Sequence, residues 1–176
     1  MGVRTATPPG RRLHPGHLRH QRDGSRVDAV RVPVIAAGGI GDARGIAAAF
    51  ALGAAAVQLG TAYLFTPEAT TAAVHRAALR EARDEATAIT NVFTGRPARG
   101  LLNRLMREVG PLSELPPAFP LAANAPAALR AKAEPAGSGD FQPLWCGQAG
   151  AFGRELPAGE LTRRLAEETL ARLARR

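Results

Sequence analysis

The stretch Val32-Pro33-Val34-Ile35-Ala36-Ala37-Gly38-Gly39-Ile40-Gly41-Asp42 decides how this chain is read. Residues 32–37 are a short apolar run with β-branched members, the composition of a strand buried on both faces, as in a parallel sheet. Pro33 brings no N–H, which puts it at the strand's start or where no ladder donor is needed. Two glycines then end the run, and Asp42 is a good helix N-cap. The text after it, ARGIAAAFALG, reads as a helix with Ile46, Ala49 and Phe50 on one face and Gly53 just past its end. Residues 54–60, AAAVQLG, read as a second short strand, again closed by glycine.

Strand, glycine turn, helix, strand and glycine turn within about thirty residues is the length of one βαβ unit, whose crossover is expected to be right-handed. Both turns then lie at the C-terminal ends of parallel strands, where α/β folds place their ligands. A bare backbone lets N–H groups approach a ligand, and a helix N-terminus behind the turn favours an anion. Gly38 and Gly39 match that arrangement, as do Gly60 and Thr61, where a hydroxyl adds one more donor. Two such turns in consecutive units matter more than one, because the phosphate site of a (β/α)8 barrel is frequently built from the loops after strands seven and eight. Gln58 is either a core amide with its partners satisfied or a ligand group, and spacing leaves both readings open.

Composition narrows the classes. The chain has 176 residues, 45% of them hydrophobic and only 5% aromatic, enough for a core that leans on close helix packing. The net charge is +8, and residues 1–26 alone contribute +5 through six arginines and one aspartate. Those residues have neither helical nor strand periodicity and read as a disordered basic leader. His14, His17 and His20 fall there at a spacing of three, but Pro15 and Gly16 oppose a helix that would align them, and no metal site is assigned. Cys146 is the sole cysteine, so an internal disulfide is excluded. No apolar run approaches the roughly 20 residues that a membrane helix needs, and a cytoplasmic location is the expectation.

Further along, Thr66-Pro67-Glu68 has the marks of a helix start, with the helix running to roughly residue 86 and His75 solvated in its middle. An extended segment, an Arg-rich turn over 95–100 and a short helix from about Leu101 follow. Residues 111–126 are proline-rich and irregular, and residues 134–140 are a flexible loop by composition. The chain closes on an amphipathic helix with Leu161, Leu165, Ala166, Leu170 and Leu173 on its buried side. Trp145 and Cys146, in LWCGQ, read as core packing or as cover over a barrel mouth.

The text from Val32 to Ala69, with FTGRPARGLLNRL, PPAFPLA, DFQPLWCGQ and LPAGELTRRLAEE behind it, resembles the C-terminal half of the nitronate monooxygenases, once called 2-nitropropane dioxygenases. AAGGI followed some twenty residues on by QLGT is a fairly specific pair, and the resemblance covers residues 27–176. It implies an α/β fold, the C-terminal portion of a TIM (β/α)8 barrel, with its last βα units over 27–90 and a helical, irregular extension over 91–176. It also implies FMN as cofactor, its phosphate bound by Gly38 and Gly39 after strand seven and by Gln58, Gly60 and Thr61 at strand eight. The substrates implied are an alkyl nitronate and oxygen.

In that family the first six strands precede this segment, and the catalytic base is a histidine in an EAGGH motif. No such motif occurs here, so no catalytic residue is assigned and His17 is given no role. The bias of residues 1–26 matches GC-rich DNA read out of frame. The expectation is therefore a C-terminal fragment, inactive or impaired, lacking the N-terminal barrel strands. The alternatives are an FMN- or phosphate-binding remnant without catalysis and, ranked last, an arginine-rich nucleic-acid binder, which has no aromatic residue in the leader to stack on bases.

Overall fold

The computed structural model describes residues 26–175, so the expectations for the basic leader and its three histidines lie outside the described residues. The chain divides into two compact units, one reaching from the first described residues to Leu59 and resuming at Arg163, the other spanning Gly60–Thr162.

The first unit is built on the expected βαβ element. Strand β1 (Ile35–Ala37) pairs in parallel with β2 (Ala56–Gln58), and helix α1 (Ala43–Ala51) connects them. The register aligns Ile35 with Ala56, Ala36 with Val57 and Ala37 with Gln58. The strand is shorter than the apolar run: Pro33 cannot donate, and Val32 is 68% exposed. Its last contribution upstream is the Val34 carbonyl, which accepts from the Ala55 N–H at 2.9 Å. Expected burial on both faces is corrected to one. Ala36 is covered, α1 packs against β2, and Ile35 on the opposite face is 53% exposed. Helix α1 buries Ala43, Ile46, Ala47 and Ala49, with Phe50 left at the rim. It ends in a Schellman arrangement, in which the Gly53 N–H donates to the Phe50 carbonyl and the Ala54 N–H to that of Ala49, both at 3.0 Å.

The second unit departs further from expectation. A 3₁₀ helix, Thr61–Phe65, follows the glycine turn, and Thr66 closes it instead of opening the next helix. The Thr66 hydroxyl donates back to the Tyr63 carbonyl at 2.9 Å, bonding to the turn that it closes. Helix α2 is therefore confined to Ala73–Arg80. Its Arg76 guanidinium donates to the carbonyls of Leu64, Phe65, Thr66 and Ala69, tying the irregular stretch to the helix.

The segment read as extended and then as an Arg-rich turn is an antiparallel hairpin, β3 (Thr87–Thr90) with β4 (Ala98–Leu101). A bridge from Gly100 to Trp145 adds a second partner to β4. Asn103 caps α3 (Arg104–Val109) through its side-chain oxygen. The proline-rich region holds a 3₁₀ helix, Leu121–Asn124, and a further helix, α4 (Ala127–Ala133), follows it. The loop at 134–140, expected to be flexible, is tied down: the Asn103 amide donates to the Gly139 carbonyl and the Leu105 N–H to that of Asp140. Two clusters form this unit's interior, one around Phe65, Leu79, Leu101, Leu144 and Cys146, the other around Val92, Phe93 and Met106.

Helix α5 (Ala158–Leu173) closes the chain. Its buried residues are Leu161, Leu165 and Thr169, an i, i+4, i+8 stripe, whereas Ala166 is exposed and Leu170 is 66% exposed. Thr169 tolerates burial because its hydroxyl donates to the Leu165 carbonyl at 2.6 Å.

The hairpin turn makes a firm prediction. Gly95 has φ of +76°, and a Cβ there would lie 2.5 Å from the Pro117 oxygen and 2.6 Å from the Phe119 nitrogen. Gly95→Ala combines backbone strain with a clash against backbone that cannot move aside, and should cost about 2 kcal/mol or more. A denaturant melt should show the midpoint falling accordingly; an unchanged midpoint would refute the packing described.

Candidate functional site

The end of the parallel sheet is built from elementary constraints. Parallel strands leave a sheet at the same edge, so Gly38 follows Ala37 where its register partner Gln58 ends β2. Gly38 and Gly39 have φ of 86° and 75°, a left-handed pair in succession that side chains other than hydrogen rarely allow. A Cβ at Gly39 would meet nothing within 4 Å. Conformation therefore explains this glycine, and packing within the described residues does not. The Gln58 side chain is exposed, among the described residues, at the sheet's uncovered face.

Asp42 sits at the N-cap of α1, its Oδ1 accepting from the N–H groups of Arg44 at 2.9 Å and Gly45 at 3.2 Å. Its Oδ2 takes the Arg44 guanidinium at 2.7–2.8 Å. Burial pushes the carboxyl pKa up, but the Arg44 side chain and the two backbone N–H groups outweigh it and hold the group below its ordinary range. The positive end of α1 is thus already matched by the chain's own carboxylate.

Gly60 and Thr61 open the second unit. Gly60 has an ordinary φ of −113°, and a Cβ there would also meet nothing within 4 Å. The Thr61 hydroxyl oxygen accepts a hydrogen bond from the Gly147 N–H at 2.8 Å, a contact that the sequence reading missed.

That turn also corrects His75, expected to be solvated. It is half-buried, and its Nε2–H donates to the Trp145 carbonyl at 3.0 Å. Burial lowers its pKa, with the carbonyl contact offsetting part of the effect. Trp145 meets Phe93 edge-on with ring centroids 5.8 Å apart, as the packing reading expected. Cys146 is buried, and desolvation pushes its thiol up to about 11. A cavity of about 430 Å³ in the second unit is lined by Phe65, Pro67, Arg76, Glu155 and Pro157. Its charged groups are engaged already, Arg76 with backbone carbonyls and Glu155 with Arg80. Among the described residues no group of His, Cys, Asp or Glu could hold a metal ion, and no helix is long and apolar enough to cross a membrane.

Comparison with known proteins places the chain. A model of the nitronate monooxygenase family matches residues 24–168. The chain belongs to the nitronate monooxygenase family. The nitronate monooxygenase of Pseudomonas aeruginosa is 47% identical over 138 residues, which cover 78% of this chain and 39% of that relative. The nitronate monooxygenase of Paraburkholderia phytofirmans is 43% identical over 139 residues, covering 78% of this chain and 38% of its own length. Among solved structures, nitroalkane oxidase from Streptomyces ansochromogenes superposes with a TM-score of 0.79 at 44% identity, over 88% of this chain and 44% of that one. FabK from Thermotoga maritima gives 0.67 at 28% identity, over 87% of this chain and 49% of that one. This member of the family thus spans less than half the length of each of these proteins, between 38% and 49%.

Two outcomes follow for this family member. Asp42→Ala removes the N-cap of α1 and should cost about 1 kcal/mol at neutral pH. Because the folded carboxyl lies below its ordinary 3.8, its contribution is full above that pH and is lost as the pH falls through the lower folded value. Denaturation midpoints of the two proteins should therefore differ near pH 7 and converge in stronger acid. Cys146 should resist iodoacetamide in the native protein at neutral pH and react once denatured; rapid native labelling, read by mass spectrometry, would contradict its burial.

Proposed function

We propose that this chain carries the phosphate-gripping end of an FMN enzyme that oxidises alkyl nitronates with oxygen, residues 27–90 being the last βα units of a (β/α)8 barrel and 91–176 its C-terminal extension. The observation that carries this reading is the bare turn after β1. Gly38 and Gly39 are both left-handed, and the space before Gly39 is filled by no atom of the described residues. Gly60 adds a second glycine whose Cβ would face open space, and Thr61 adds a hydroxyl. On this reading the uncovered face of the sheet, carrying Ile35, Ala37, Ala56 and Gln58, is the barrel's interior side, which suits the rule that parallel sheets are covered on both faces.

The residues fit a phosphate. Backbone N–H groups of the Gly38–Gly39 turn, the Gln58 amide and the Thr61 hydroxyl are neutral donors, suited to phosphate oxygens at close range. Arg44 neutralises Asp42, so the carboxylate at the helix cap does not face an incoming anion alone. When bound, FMN supplies the redox chemistry, taking electrons from the substrate and passing them to oxygen. The chain's own part is to hold the phosphate end. No described residue is assigned as the base: His75 is bound to the Trp145 carbonyl, and the Cys146 thiol is buried and held protonated.

The second reading is FMN binding without turnover. One preparation separates the two. The purified full chain should carry a visible flavin band or acquire one with added FMN, and Gly39→Val should weaken FMN binding about tenfold or more by placing a β-branched side chain at a left-handed position. Oxygen uptake that depends on an alkyl nitronate supports the enzyme. A flavin band without uptake supports the binding reading, and a colourless chain that takes up no FMN refutes both.

A further inference from the structure

Gly147 lies in a turn several of whose polar groups are committed. The Leu144 carbonyl accepts from the Leu101 N–H at 2.8 Å, and the Trp145 carbonyl accepts from His75 Nε2–H at 3.0 Å. The Cys146 N–H donates to the Arg99 carbonyl at 3.3 Å. The Gly147 carbonyl accepts from both the Cys146 thiol and the Gly150 N–H at 3.2 Å. Beneath them Cys146 is 2% exposed, and a Cβ at Gly150 would lie 2.6 Å from its sulfur. The turn is held by these bonds, and the Gly147 N–H is directed at Thr61 Oγ1 at 2.8 Å.

A threonine hydroxyl has one proton to donate and two lone pairs to accept with. The Gly147 N–H takes up one lone pair and cannot accept the proton. Among the described residues no acceptor for that proton is found, and Thr61 remains partly exposed. The oxygen is therefore fixed in place while its O–H points away from Gly147. A donor bond into the oxygen also polarises the O–H and strengthens it as a donor in turn.

We infer that Gly147 is a positioning residue: its N–H locks the Thr61 hydroxyl as a hydrogen-bond donor to a phosphate oxygen of the cofactor. The inference rests on the phosphate reading above and adds to it the group that aims Thr61. It also gives the LWCGQ segment a function beyond packing. Glycine suits the position because a Cβ would lie 3.3 Å from Thr61 Oγ1, tight enough that the hydroxyl would have to shift by a few tenths of an ångström. Strain is not the reason, since the Gly147 φ lies outside the left-handed region.

Riboflavin, which has the ring system and lacks the phosphate, is the natural control. The ¹⁵N-labelled full chain is titrated with FMN and, separately, with riboflavin, following the amide resonances of Gly39, Gly60 and Gly147. FMN should shift all three, and riboflavin should leave Gly147 unmoved. In Thr61→Val the Gly147 response should vanish, and in Thr61→Ser it should return. Gly147→Ala should lower FMN affinity roughly tenfold, the loss of one good hydrogen bond, with riboflavin affinity unchanged. In the Thr61→Val background Gly147→Ala should have no further effect on FMN. If FMN shifts Gly39 and Gly60 while Gly147 stays fixed, or if Gly147→Ala weakens both flavins equally, the positioning role is overturned and the phosphate reading stands. If FMN shifts none of the three, the phosphate reading fails and the positioning role falls with it. Thermal melts of each variant identify any that has lost its fold, and for those the Thr61→Ser comparison decides.

Discussion

The parallel register of β1 and β2 is the constraint on which the rest of the first unit depends. Two parallel strands cannot be joined by a tight turn, so the chain must cross over, and α1 is that crossover. Once the register aligns Ala37 with Gln58, the chain has to leave both strands at one end of the sheet. The turn at Gly38–Gly39 and the exit through Leu59 into Gly60 follow from that geometry. Asp42 sets where the crossover helix begins, and the paired bonds at Gly53 and Ala54 set where it stops. A helix of nine residues is too short to hold itself together in water, so these end contacts and the buried alanine face must supply what length does not.

The second unit depends on a different device, side chains that satisfy irregular backbone. The end of the 3₁₀ helix and the stretch after it present carbonyls to Arg76, which reaches those of Leu64, Phe65, Thr66 and Ala69. Asn103 does comparable work, capping α3 with its oxygen while its amide donates to the carbonyls of Gly139 and Gln142. His75 does it for the Trp145 turn. Buried or half-buried backbone groups must find partners, and here long polar side chains provide them where regular structure does not. That explains how proline-rich and glycine-rich text can run through a packed unit.

The features legible in the sequence were the local ones. An apolar run, a glycine pair, a capping aspartate and a glycine after the helix are adjacent in the chain and report on the same few turns, so β1, α1 and β2 could be read directly. The hairpin of β3 and β4 could not, because nothing within TAIT or ARGL states which partner will supply the ladder. Thr66 misled because a hydroxyl before a proline suits a cap, and only the structure shows it donating backwards to Tyr63. On α5 the leucine spacing pointed to Leu170, whereas the helix buries Thr169 at no polar cost, its hydroxyl answered by the carbonyl one turn back. At the site, the glycines were legible as glycines. The bond between Gly147 and Thr61 joins residues 86 positions apart and has no local signature.

The electrostatics of the turn bear on how an anion would be held there. A helix N-terminus usually attracts an anion through its free N–H groups and its dipole. In α1 two of those N–H groups already bind Asp42, and the carboxylate is kept charged by Arg44. The capped end is close to neutral as a unit, so it neither draws a phosphate from a distance nor repels one at contact. Recognition on the proposed reading must therefore come from short, directional bonds made by neutral donors in fixed positions. Such donors are only as good as their placement, since a flexible hydroxyl loses in ordering what it gains in bonding. This is why a backbone N–H fixed within the Trp145–Gly147 turn, directed at a threonine oxygen, matters more to such a site than another exposed charge would.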